Sequence, residues 1–239
     1  MKRMVCGMPV WAAMLAAAAL GTPAAATAQP AKGPPGFGFG GAPEFDRPSL
    51  PKDAKEKQAL DALEEMTRGR WYLNVTTREG RVLRQLTEAV GAKRVVEIGT
   101  SSGYSTIWLA LGARASGGHV FTHEIDPEKV KLARENFKKA GVDDVITIIE
   151  GDAHETIKQH LGQAEPIDVV FFDAEKKGYV DYLAQLLPQI RPGGLILGHD
   201  MHRPMPDPRY IEAITKNPKL DTSFLMMESF GISMTTKKR

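Results

Sequence analysis

Apolar and polar residues alternate along this chain with two different periods. From Asp53 to Thr67 the apolar stripe Ala59, Leu60, Leu63 and Met66 recurs at helical spacing, and Gly69 closes the segment. Trp71 to Thr76 leads into a second helix over 77–90, where Val82, Leu83, Leu86 and Val90 keep the same period up to Gly91. Short β-branched runs then alternate with helical segments. Strands are predicted at 94–98, 119–125, 145–150, 167–172 and 193–198, and helices at 103–112, 127–140, 153–161 and 177–188. Asp126-Pro127 pairs an N-cap with proline at the first helical position, and Gly141 ends that helix. Such alternation predicts an α/β fold with a doubly wound, mostly parallel sheet. The order changes at the end: a short helix at 208–216 precedes two strands at 220–227 and 230–236, with Gly231 near their turn. These add an antiparallel hairpin and bring the sheet to seven strands.

The first 52 residues follow neither period. Lys2 and Arg3 precede an apolar run from Val10 to Leu20, too short to span a bilayer, and Ala26-Thr27-Ala28 fits a small-residue cleavage site. Residues 1–28 are therefore expected to be a signal peptide, and the mature protein to be exported; a mis-called start would leave it cytoplasmic. Residues 29–52 are rich in proline and glycine, with Phe37, Phe39 and Phe45 among them, and read as a disordered linker. The folded domain is then 53–239. Without Lys2 and Arg3 the 31 bases fall to 29, against 29 acids, and this balance offers no basic field for nucleic acid. Cys6, the only cysteine, would leave with the leader, so no disulfide is expected.

Candidate chemistry clusters at strand ends. Val95-Val96-Glu97-Ile98-Gly99-Thr100-Ser101-Ser102-Gly103-Tyr104-Ser105-Thr106 reads as buried strand, glycine turn and helix start. Gly99 lets a ligand approach the main chain. The spacing is E-x-G-x-x-x-G, not the dinucleotide G-x-G-x-x-G; the missing third glycine speaks against a nicotinamide oxidoreductase. Glu97 would repel a pyrophosphate but can accept from a cationic amino group. Glu124, one βαβ step later, can take both hydroxyls of a ribose. Asp152 could accept from an adenine amino group while capping the next helix, and Ala153 offers its N–H to the ring. Asp173, thrust out beyond Phe171-Phe172, is a hard oxygen ligand suited to Mg²⁺ or Ca²⁺. Asp200 ends the neighbouring strand at the same edge, and Lys176 can return to that pocket as a base.

These residues carry a resemblance. From about Trp71 onward the chain resembles the class I S-adenosylmethionine (SAM)-dependent O-methyltransferases of the metal-dependent catechol and caffeoyl-CoA group. The carriers are Asn74-Val75, V-V-E-I-G-T-S-S-G-Y-S-T, H-E-I-D, E-G-D-A and F-F-D-A-E-K-K-G-Y. The resemblance implies that Val75, Glu97, Gly99, Ser101, Tyr104, Ser105, Glu124, Asp152 and Ala153 line the SAM site. It implies Asp173 as a metal ligand, Lys176 as the base on the acceptor hydroxyl, and a homodimer. One departure is plain: where the family usually carries Asp-Asn as its remaining metal ligands, this chain has His199-Asp200, or Asp200-Met201 if the strand is one residue longer. Metal candidates are thus Asp173, His199 and Asp200. Mg²⁺ is the expected ion, and His199 would shift preference toward softer metals. The sequence reads as an exported SAM-dependent O-methyltransferase acting on a small, catechol-like or phenolic acceptor. An exported SAM- or nucleoside-binding module without turnover is the alternative.

Overall fold

The structure, a computed structural model, describes residues 47–68, 74–160, 162–226 and 230–239. The expected leader, most of the linker, Trp71 with its neighbours and the end of the sixth strand at 227 lie outside them. The sheet has seven strands in the order β3-β2-β1-β4-β5-β7-β6. In chain order these are β1 (Arg94–Ile98), β2 (His119–Glu124), β3 (Ile146–Glu150), β4 (Ile167–Phe172), β5 (Ile190–His199), β6 (Leu220–Leu225) and β7 (Ile232–Lys237). The first five pair in parallel, whereas β7 lies antiparallel between β5 and β6, which is the expected hairpin.

The helices are α1 (Ala54–Arg68), α2 (Thr77–Ala89), α3 (Tyr104–Ala115), α4 (Pro127–Ala140), α5 (Ala153–Thr156), α6 (Tyr179–Leu186) and α7 (Pro208–Thr215). Among the described residues none is long and apolar enough to cross a membrane. The helices cover both faces, and every residue of β1 is buried. Side chains alternate across a strand, so β1 feeds both layers. Val95 packs with Leu83, Ile107, Leu109 and Phe137, whereas Val96 and Ile98 pack with Phe172, Tyr182, Leu186 and Tyr210. Strand order reverses at β1, whose neighbours are β2 and β4. A crevice at the carboxyl end of β1 is the usual ligand position in such a sheet.

Two elements depart from the expected boundaries. The helix anticipated over 153–161 is only the single turn α5, and a 3-10 turn over Ile157–His160 turns Ile157 and His160 into the core. Strand β5 begins at Ile190 rather than 193, and its pairing with β4 slips between Ile167 and Val169. The slip accommodates Pro192-Gly193-Gly194, with Gly193 at φ +79°. Asp168 anchors this irregular corner by accepting from Arg191 Nε and from the backbone N–H groups of Lys93 and Arg94.

Candidate active site

The turn after β1 closes on the loop after β4. Asp173 N–H donates to Ile98 C=O at 2.8 Å, and a Cβ on Gly99, at φ +103°, would meet Asp173 O at 2.6 Å. Gly99 is therefore required by the neighbouring backbone as well as by any ligand. Beside this turn lies a cleft of about 200 Å³ lined by Ile98, Gly99, Glu124, Asp152, Ala153 and Tyr182. The rings of His154 and Tyr182, 4.7 Å apart, form an aromatic wall.

Of the nine residues expected around SAM, four line this cleft: Gly99, Glu124, Asp152 and Ala153. Ser101 joins it through its N–H, which donates to Glu124 at 2.7 Å; the other carboxylate oxygen of Glu124 accepts from Ile125 and Asp126 N–H. Asp152 caps α5 by accepting from His154 N–H. The remaining four, Val75, Glu97, Tyr104 and Ser105, do not line the cleft. Val75 is buried beside Asn74, whose side chain accepts from Ser102. Tyr104 and Thr77 share a hydroxyl contact of 3.0 Å. Ser105 donates to Glu97, which is wholly buried and also accepts from Thr106 and Thr122. Burial raises the Glu97 pKa to about 7 against the pull of these three hydroxyls. Glu97 thus ties β1 to α3 and β2 under the turn.

The second constellation stands at the ends of β4 and β5, which pair through Phe172 and Gly198. Strand β5 runs to His199, and Asp200 follows at φ +64°, a left-handed position that turns its carboxylate back toward Asp173. Ligating atoms of Asp173, His199 and Asp200 lie within 4.8 Å of one another. Lys176 bridges the two acids, its Nζ 2.7 Å from Asp200 and 3.3 Å from Asp173. It also donates to Ala174 C=O and to the Tyr179 hydroxyl, which passes its hydrogen to Phe172 C=O. His199 is 2% exposed and stands between carboxylates: Nδ1 is 3.0 Å from Asp173 and Nε2 is 3.3 Å from Glu79. Burial lowers its pKa, but bonds to Asp173 and Glu79 overcome that and lift it to about 10. For Glu79 burial acts upward, and His199 with the Thr76 bonds brings the pKa down to about 2.

Glu79 is a site residue that the sequence reading missed. Thr76-x-x-Glu79 is a capping box, and both of its reciprocal bonds form at the start of α2. The box was readable, but its second use, 120 positions away at His199, was not. His123 and His160 were also passed over; His123 lines the cleft, His160 lies behind it, and the two rings face each other at 2.8 Å. A second cavity, of about 660 Å³, opens between α1 and α2; Tyr104 lines it, and none of the strand-end acids does. The acid–lysine cluster meets the turn through the Asp173 N–H bond to Ile98 C=O.

This geometry, an acid beside a glycine turn and a second acid cluster at the switch point, agrees with the sequence comparisons. The profile of the O-methyltransferase family matches residues 51–201, and the chain belongs to that family. It is 40% identical over 123 residues to catechol O-methyltransferase of Mycobacterium tuberculosis, covering 52% of this chain and 54% of that one. Over 151 residues it is 35% identical to caffeoyl-CoA O-methyltransferase 2 of Zea mays, covering 61% and 56%. The chain thus spans little more than half the length of these curated relatives. Among solved structures, the O-methyltransferase from Bacillus cereus in complex with SAH superposes with a TM-score of 0.65 at 29% identity, covering 79% of this chain and 93% of that one.

Proposed function

We propose that this domain transfers a methyl group from SAM to a hydroxyl of a small catechol-like or phenolic acceptor, assisted by a divalent cation. The observation that carries this reading is the backbone junction of two sites. Asp173, the centre of the acid–lysine cluster, is hydrogen-bonded through its N–H to the last residue of β1, against the turn that opens the Glu124 cleft. Relatives named as catechol and caffeoyl-CoA O-methyltransferases, and a structural neighbour holding SAH, support it.

SAM supplies an electrophilic methyl on a sulfonium. Glu124, in the cleft lining, would accept from the ribose hydroxyls, and His154 and Tyr182 would wall the adenine. The acceptor must lose a proton: a phenol with a pKa of about 10 is ionised in only about one molecule in a thousand at pH 7. Asp173 and Asp200 suit a hard cation such as Mg²⁺, with His199 as third donor if it leaves one of its carboxylates. Such an ion would lower the pKa of a bound hydroxyl. Lys176, held among four acceptors, would take the proton as the neutral amine, the form that a neighbouring cation would favour over the ammonium. Holding oxygen, carbon and sulfur in line is worth up to about 7–11 kcal/mol.

The deciding experiment is methyl transfer from labelled SAM to a panel of catechols and phenols, with Mg²⁺ or with EDTA. Product with Mg²⁺ and none in EDTA is expected. Full activity in EDTA would reject the metal and leave Lys176 or His199 as the base. Binding of SAM with no product from any acceptor would point to a module without turnover. Export rests on the sequence of residues 1–28. Mass spectrometry of the native protein should find Gln29 at the N-terminus, and an intact Met1 in a cytosolic fraction would end that part of the proposal.

A further inference from the structure

Behind the Glu124 cleft runs a line of buried polar groups that none of the assignments above uses. It starts at Arg94, the first residue of β1, passes through His160 and His123, and ends at Thr156 in the last turn of α5. His123 is 1% exposed, His160 2% and Arg94 6%. His123 also stands at the cleft wall, next to Glu124.

The direction of every hydrogen bond follows from one fact: a guanidinium only donates. Arg94 Nη2 therefore gives a hydrogen to His160 Nδ1 at 3.0 Å. That places the His160 proton on Nε2, which donates to His123 Nε2 at 2.8 Å. His123 must then carry its proton on Nδ1 and donate to Thr156 Oγ1 at 2.7 Å. The Thr156 hydroxyl in turn donates to Asp152 C=O at 3.1 Å. Burial, aided by the neighbouring ring or guanidinium, holds the pKa of His123 down to about 3 and that of His160 to about 4. Both rings are therefore neutral at neutral pH, as the one-way order requires.

The far end of the line is Asp152, whose side chain caps α5 and whose neighbours Gly151 and Ala153 line the cleft. Gly151 N–H is itself fixed on Glu124 C=O. The turn that would meet the adenine is thus held from Glu124 on one side and from the histidine line on the other. We propose that Arg94, His160, His123 and Thr156 form a one-way hydrogen-bond relay that positions the Gly151–Ala153 turn for the adenine end of the cofactor. This inference rests on the cofactor reading above and assigns positioning residues to it.

Thr156→Val cuts the relay at its last link while keeping the shape of the side chain, and Thr156→Ser restores the hydroxyl. With Thr156→Val, the Kd for S-adenosylhomocysteine and for adenosine should each rise about fivefold, the effect of one neutral hydrogen bond. The KM for SAM should rise by the same factor, with kcat within about twofold, and Thr156→Ser should return both to within about twofold of wild type. Histidine ¹⁵N NMR of the wild-type protein at neutral pH checks the order without any substitution: His123 must be the Nδ1–H tautomer and His160 the Nε2–H tautomer. Opposite tautomers, or unchanged affinity in Thr156→Val, would overturn the relay. A wild-type protein that binds no S-adenosylhomocysteine would overturn the cofactor reading and the relay with it.

Discussion

Two buried histidines stand on either side of β1, His123 one strand away on β2 and His199 two strands away at the end of β5, and they differ in charge state. His123, on β2, is 1% exposed, and its ring partners are another imidazole and a hydroxyl. His199, at the end of β5, is 2% exposed and lies between two carboxylates. Burial acts on both in the same direction, against the charged form. The pKa nevertheless falls to about 3 at His123 and rises to about 10 at His199. Equal burial therefore does not set charge; the partners do. The histidine line behind the Glu124 cleft is built from directional bonds between neutral rings, and the cluster around Asp173 from paired ions.

That contrast can be tested where it is strongest. Asp173→Ala removes a partner from both His199 and Lys176. Methyl transfer should fall about 10²–10⁴-fold, the scale of a lost acid–base device, while calorimetry finds S-adenosylhomocysteine affinity nearly unchanged. A parallel loss of affinity would merge the two sides into one. Glu79→Ala takes one carboxylate partner from buried His199 and removes the acceptor of Gly231 N–H. Urea unfolding should show a loss of about 3–5 kcal/mol, the penalty for breaking one side of a buried pair. Glu79→Gln, which keeps the shape and can still accept from Gly231, should lose less.

The neutral side should respond to acid. The folded-state pKa of His123 and of His160 lies below the unfolded value near 6.5, so the unfolded chain binds more protons as pH falls. The contribution of these two rings to stability should be full above pH 6.5 and decline from there toward pH 4, by on the order of 3 kcal/mol for each ring. A His123→Phe, His160→Leu double variant should flatten that part of the curve in thermal melts, and an equally steep curve would contradict the neutral assignment. Glu97→Gln should give the smallest change, within about 1 kcal/mol, because an amide oxygen can still accept from Ser105 and a rotated hydroxyl can take the amide hydrogen.

Much of the fold was legible because local rules agreed with the global ones. The β-branched run at 95–98, the glycine turn and Asp126-Pro127 all form as expected, with Asp126 capping α4 and Gly141 closing it at φ +64°. The strand ends then carried Glu124, Asp173 and Asp200 to the switch point, since successive parallel strands finish at one edge. Partnerships between distant segments could not be read. Glu97 looked like a ligand for a cationic amine because its position before the turn is visible, whereas its three hydroxyl partners depend on α3 and β2 closing over it. His160 lay in an expected helix, and only the tightening of that helix into a 3-10 turn carries it inward to His123. Glu79 showed its capping role and hid its link to His199.

One bond gives the site a sense of completion. The carboxylate of Glu79 accepts from Gly231 N–H across 152 positions, and Gly231 opens the last strand of the sheet. A chain leaving the ribosome can form α2 and β1 early, yet the pocket around His199 stays unfinished until residue 231 has emerged. Assembly of the charged half therefore waits for the segment that carries Gly231, while the neutral half, made from residues 94 to 160, does not. A nascent chain stalled before β7 would hold the Glu124 cleft in outline and lack a finished surround for His199.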